Sequence, residues 1–245
     1  METKAKKPIF KRWWFWALLL IVIAIIVAAA GGGNDSKSNK KAAEGTNYEV
    51  LDGTVRTWKN SIGTTWISVA VPVKSTGNDN LYLSSATIDV EDADGKLVKT
   101  MDLVSVYPQV LLPGETAYYY DETTLEDMEP TDELVAIPHV AVEKAKVDCI
   151  RYEVTELAVK DGEYDGASVT GRVENTTDEA ESSVYIVALL FDKNDNLIVQ
   201  QVDILDNELQ PGEKIGFKTT NLGFDVKASD VARYEVYAFP HQYQF

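Results

Sequence analysis

Residues 183–199 read SVYIVALLFDKNDNLIV. Val184, Ile186, Ala188 and Leu190 alternate with Ser183, Tyr185, Val187 and Leu189, which is the two-residue period of a β-strand. Asn194-Asp195-Asn196 then separates this run from Leu197-Ile198-Val199. Small polar residues of that kind accept the positive φ of a tight hairpin turn. The stretch therefore reads as strand, turn, strand, and it sets a β reading for its surroundings.

The same pattern occurs a second time. Asp92-Ala-Asp-Gly-Lys-Leu-Val98 corresponds to Asp192-Lys-Asn-Asp-Asn-Leu-Ile198, a shift of 100 residues. Val69, Val71 and Val73 match Val169, Gly171 and Val173 at the same shift. Leu111-Leu-Pro-Gly-Glu115 matches Leu209-Gln-Pro-Gly-Glu213 at 98, Ala136-Ile-Pro-His139 matches Ala238-Phe-Pro-His241 at 102, and Tyr48-Glu-Val50 matches Tyr152-Glu-Val154 at 104. Landmarks in fixed order with drifting shifts indicate a domain duplication rather than a solenoid. One module is expected over 48–143 and a second over 146–245. Pro113-Gly114 and Pro211-Gly212 suit type II turns. Several short strands in about 100 residues predict a β-sandwich for each module. Pro72 falls inside a strand pattern, which predicts an edge or a bulge there.

The N-terminal region has a different character. Trp13 to Ala30 reads WWFWALLLIVIAIIVAAA, 18 residues without an ionisable group. As a helix this run spans about 27 Å, close to the hydrocarbon thickness of a bilayer. A transmembrane helix is expected over 13–33. It acts either as an uncleaved anchor or as a signal peptide cut near Ala28–Ala30, and the length of the run favours the anchor. Trp13, Trp14 and Trp16 suit the headgroup level. Lys4, Lys6, Lys7, Lys11 and Arg12 place the 1–12 tail in the cytoplasm. The tail holds five of the 23 basic and one of the 39 acidic residues, which leaves 18 and 38, or −20, for the remainder. That balance counts against a nucleic-acid partner. Residues 34–47 have no aliphatic side chain larger than Ala and read as a flexible linker.

Gly171-x-Val173-x-Asn175, then Ala188-Leu-Leu-Phe-Asp192, then Leu209-x-Pro211-Gly212-Glu213 resembles the FxLYD domain family. In the naming motif Ala replaces the first Phe, and Phe replaces Tyr. The first copy departs further, with Ile88-Asp-Val-Glu-Asp92. The resemblance implies small immunoglobulin-like β-sandwiches in the extracytoplasmic part of an envelope protein, with no catalytic residues to carry over. The basic tail, WWFW and apolar span also resemble membrane-anchored proteins of Gram-positive bacteria.

Candidate chemistry is sparse. There are one Cys and two His in the chain, so neither a disulfide framework nor a Cys₂His₂ zinc site can be built. His139 and His241 fall in one repeat-equivalent slot, which duplication explains without a metal. Asp92-Ala-Asp94-Gly95 opens like a calcium loop, yet Met101 and Gln201 stand where such a loop needs its last carboxylate, so turns are expected. Asp121 to Glu133 carries seven carboxylates and no base and reads as a solvated loop. Cys149 reads as a small buried residue at the module junction. No nucleophile elbow, phosphate loop or HExxH motif is present. No catalytic, metal or cofactor site is therefore assigned.

One asymmetry remains. Val187, Leu189 and Phe191 give their strand a second apolar face, where the first copy has Thr87, Asp89 and Glu91. They form a candidate interface, either with the other module or with a partner. The expected whole is mainly β: two tandem immunoglobulin-like sandwiches after an N-terminal transmembrane helix. The expected role is non-catalytic binding or structural support in the cell envelope, with a protein or cell-wall partner. A sensory or accessory subunit of a membrane complex is the alternative.

Overall fold

The computed structural model describes residues 46–126, 128–162, 166–205, 207–219 and 226–240. All of them lie within one compact unit, Ala42–Phe245. The expected tail and span over 1–33 lie outside the described residues. Among the described residues no helix is long and apolar enough to cross a membrane.

The described chain is mainly β, in several antiparallel sheets, with a single turn of 3₁₀ helix at Ala228–Asp230 among those residues. The first half carries β1 (Tyr48–Val50), β2 (Thr54–Lys59), β3 (Thr65–Ser75), β4 (Leu81–Leu83), β5 (Ala86–Glu91), β6 (Leu97–Tyr107), β7 (Val110–Leu111), β8 (Thr116–Leu125), β9 (Val135–His139) and β10 (Val142–Lys144). One large sheet runs β1-β3-β8-β6-β5-β9 with β2 also paired to β3, and a small one runs β10-β4-β7. The second half carries β11 (Glu153–Asp161), β12 (Ala167–Glu174), β13 (Val184–Phe191), β14 (Leu197–Leu205), β15 (Lys214–Lys218) and β16 (Arg233–Pro240). Its sheets are β11-β12-β15 and β14-β13-β16.

Alternation places the cores. Val69, Val71 and Val73 on β3 are fully buried with Ile88, Val90, Leu81, Leu83 and Tyr119 in the first half. In the second half, Val173 and Phe217 from one sheet meet Val184, Ile186 and Ala238 from the other. Val169 meets Ala188 and Leu190 in the same way. Each fully buried aliphatic side chain contributes about 1.5–3 kcal/mol over its exposed state.

Turns and strand pairings correspond between the two halves. Asp92 Oδ1 accepts from the Asp94 and Lys96 N–H groups, and Asp192 Oδ1 accepts from those of Asn194 and Asn196. Gly95 and Asp195 both take positive φ, at 79° and 64°. These carboxylates close hairpin turns. At the Pro-Gly turns, Gly114 N–H donates to Ser75 O and Gly212 N–H to Asn175 O. Val50 pairs with Val73 and Val154 with Val173, while Val55 pairs with Val69 and Val159 with Val169. The shift of 104 therefore holds along all of β11, whose bulge between Thr155 and Ala158 replaces the break between β1 and β2.

That break also explains Pro72. Within a strand, N and O of one residue point to the same side. Leu51 N–H donates to Pro72 O, so the missing Pro72 N–H faces the gap between β1 and β2. β3 itself stays regular through Pro72, paired with Tyr118 on its other side.

Two readings from the sequence need correction. Ile137 lies opposite Asp89 and Glu235 opposite Leu189, so β16 follows β9 at a shift of 98, not 102. The A-x-P-H match is four residues out of register, and Tyr237 rather than His241 is the structural counterpart of His139. Four residues preserve the inward face of a strand, so composition alone did not separate the two alignments. The second correction concerns 121–133. Asp121 to Leu125 belong to β8 rather than to a loop. The segment that follows straps β2 through Lys59–Glu129 and reciprocal bonds between Thr57 and Thr131.

Candidate functional site: the seam between the halves

Strands β8 and β13 share an unusual property: both of their faces are apolar. On β8, Ala117 and Tyr119 point into the first core, while Tyr118 and Tyr120 point away from it. On β13, Ile186, Ala188 and Leu190 point inward, while Val187, Leu189 and Phe191 point away. The structure brings these outer faces together. Val187, Leu189 and Phe191 are fully buried in one cluster with Leu197, Phe239, Ala70 and Tyr120, flanked by Tyr107, Tyr118, Tyr185 and Tyr237. The three candidate interface residues thus lie against the first half of the same chain.

The aromatic rings give the seam its geometry. Tyr118 meets Phe191 edge to face at 5.4 Å, and Tyr107 lies 6.0 Å from Phe239 and 6.4 Å from Tyr185. Such pairs add about 0.5–1.5 kcal/mol each beyond area burial. Burial raises the Tyr107, Tyr118 and Tyr120 hydroxyls above the ordinary tyrosine range, so they stay neutral.

Polar groups cross the seam at its rims. Arg56 Nη1 donates to Ile198 O at 2.6 Å, and Gln200 Nε2 donates to Ser105 Oγ at 2.7 Å. Arg151 follows the junction, donates to Val110 O at 2.6 Å, and places its guanidinium over Tyr237 and Phe239. Arg233 lies 3.7 Å from the Phe191 ring centroid and is held by Asp195 and Glu235.

The repeat shows why the contact has a direction. Register places Thr170, Gly216 and Lys218 in the second half where the first has Ala70, Tyr118 and Tyr120. Thr87, Asp89 and Glu91 stand in the first half where the second has Val187, Leu189 and Phe191. Each module offers one apolar outer face, and the two are different faces. The contact is heterologous, and polar faces at both ends stop it from continuing. The sequence exposed only the β13 side of this arrangement. On β8 the run Ala117-Tyr-Tyr-Tyr120 hides the alternation, and only the contrast with β15, Lys214-Ile-Gly-Phe-Lys218 with its ordinary apolar-in pattern, marks Tyr118 and Tyr120 as outward.

The other candidates are dispersed. His139 is exposed on β9, 3.2 Å from Asp89 Oδ2, and His241 lies outside the described residues. Thr100 and His139 hydrogen bonds hold the Asp89 carboxyl below its usual range. Among the described residues no group of three or more His, Cys, Asp or Glu is placed to hold a metal. Cys149 is half-buried, 3.9 Å from Val110 O, and burial pushes its thiol up. A cleft of about 510 Å³ opens beside the seam, lined by Asp52, Ala70, Lys74, Tyr118, Asn196 and Leu197 among others. No protein-family model matches the chain, and comparison with curated proteins returns no match.

Proposed function

We propose that the chain is a single-pass membrane protein, N-terminus inside, that holds two immunoglobulin-like, FxLYD-type β-sandwich modules outside the cell. In this reading it binds or braces a protein or polymer of the envelope and performs no catalysis. The seam is the observation that carries it: two β halves with corresponding turns meet through matched apolar faces. An aromatic contact of this kind resists the domain motion expected of a small polar interface. A stiff two-module head on an apolar run and a polar linker suits display and binding. The accessory-subunit reading draws support from Leu103, Val202 and Ile204, exposed apolar side chains on β6 and β14.

Protease treatment of intact cells tests the topology. Digestion should remove the region from about residue 46 onward and leave a membrane-held fragment containing residues 13–33. Full protection of the chain in intact cells, or its recovery in the soluble fraction, would refute the reading. Pull-down from envelope extracts with the full chain then separates polymer from protein partners.

A further inference from the structure

Arg56, Ser68 and Glu122 form one row across three neighbouring strands, since Arg56 pairs with Ser68 and Ser68 with Glu122. This row borders the seam. Arg56 spends its guanidinium on the second half, through Ile198 O, and its charge also acts on Asp192 at the β13–β14 turn. Glu122 instead accepts from the Tyr120 hydroxyl at 2.8 Å, and Tyr120 belongs to the seam cluster. The Tyr120 carbonyl accepts from Ser105 Oγ, which in turn receives Gln200 Nε2 from across the seam. Gln200 is buried, and its Oε1 has no partner.

We propose that the seam is a pH-dependent latch, in which neutral Glu122 leaves Arg56 free to bridge the halves and ionised Glu122 draws Arg56 back onto its own sheet. The two arrangements compete for one guanidinium. A neutral Glu122 needs only the Tyr120 contact. An anionic Glu122 in a partly buried row needs a cation, and Arg56 is the cation in that row. Reclaiming it removes the 2.6 Å bond to Ile198 O and weakens the attraction to Asp192.

The surroundings bias the carboxyl toward the neutral form. Burial pushes Glu122 up to about 7, Asp121 pushes the same way, and the Tyr120 bond and Arg56 pull against them. From β6, Asp102 raises Asp121 and Lys99 lowers it. Ser68 on β3 and Gln200 from the second half carry no charge. The latch therefore turns over near neutrality.

Hydrogen exchange on the full chain in detergent micelles, at pH 6 and pH 8.5 and corrected for intrinsic rates, tests this. Peptides from β8 and β14 should lose roughly threefold to tenfold in protection at the higher pH, while β5, away from the seam, keeps its own. Glu122→Gln, near-isosteric and always neutral, should hold the low-pH protection at both values. Arg56→Gln should show the reduced protection at both, with β5 unchanged. Seam protection that does not vary with pH would overturn the proposal, as would a pH response that survives in Glu122→Gln. A silent Arg56→Gln would overturn it too.

Discussion

Tyr118 and Phe191 meet edge to face across the seam, ring centroids 5.4 Å apart and planes at 65°. One ring comes from each half of the described chain. Phe191 is fully buried and lies beneath the Arg233 guanidinium, so its removal leaves a cavity and uncovers a cation. Phe191→Ala should cost about 3–5 kcal/mol in urea unfolding. A double-mutant cycle with Tyr118→Ala should return a coupling of about 0.5–1.5 kcal/mol. A coupling near zero would mean that the ring pair contributes area but no specific geometry.

The two halves should differ when separated. Each has its own core and turns, and each should fold as a fragment. Fragment 146–245 would expose Val187, Leu189, Phe191 and Phe239 on a sheet face that the intact chain buries. It should bind the dye ANS more strongly than fragment 48–245, or dimerise at micromolar concentration. Equal dye binding by the two fragments would show that the isolated second module hides this face by itself.

The extent to which the sequence disclosed this fold follows from what repeats. The alternation of Val69–Val73, the Asp-led hairpin turns and the Pro-Gly turns are local signals, and they occur twice, so each copy checks the other. The asymmetry at Val187, Leu189 and Phe191 was legible because Thr87, Asp89 and Glu91 supplied the contrast. Its counterpart on β8 was obscured by the run Tyr118-Tyr119-Tyr120, in which one buried ring sits between two seam rings. Arg56 and Arg151 gave no signal at all: a single Arg in a strand or junction says nothing about which distant carbonyl it will meet. The A-x-P-H letters do not carry the β16 register, because pairing with β13 is set by packing across the sheet.

The Pro-Gly turns make a matched pair for mutation. Gly114 and Gly212 have φ of 84° and 73° in equivalent turns, with nothing near the place a Cβ would occupy. Space is available, so the cost of Ala is conformational. Gly114→Ala and Gly212→Ala should each destabilise by about 1 kcal/mol, and by similar amounts. Thermal melts of the two single variants and the double test this, with additivity expected because the sites share no partners. A much larger loss at one site would reveal a contact specific to that copy.

Glu122 should also govern how global stability varies with pH. Its ordinary value is 4.5, and burial pushes it up to about 7 in the folded chain. The folded state therefore holds its proton to higher pH than the unfolded state. For an acid shifted upward, the contribution is fully present below about pH 4.5 and is lost as pH rises through about 7. Above that, the ionised carboxylate stays as a constant penalty. Glu122 is only half-buried and Arg56 is near, so the penalty is discounted to about 1–2 kcal/mol. Glu122→Gln should match the parent at pH 4.5, exceed it by that amount at pH 8, and melt several degrees higher there. Urea titrations at half-unit pH steps would show the gap opening between pH 5 and 7.5. A gap of constant size at every pH would assign the effect to packing of the amide rather than to ionisation of Glu122.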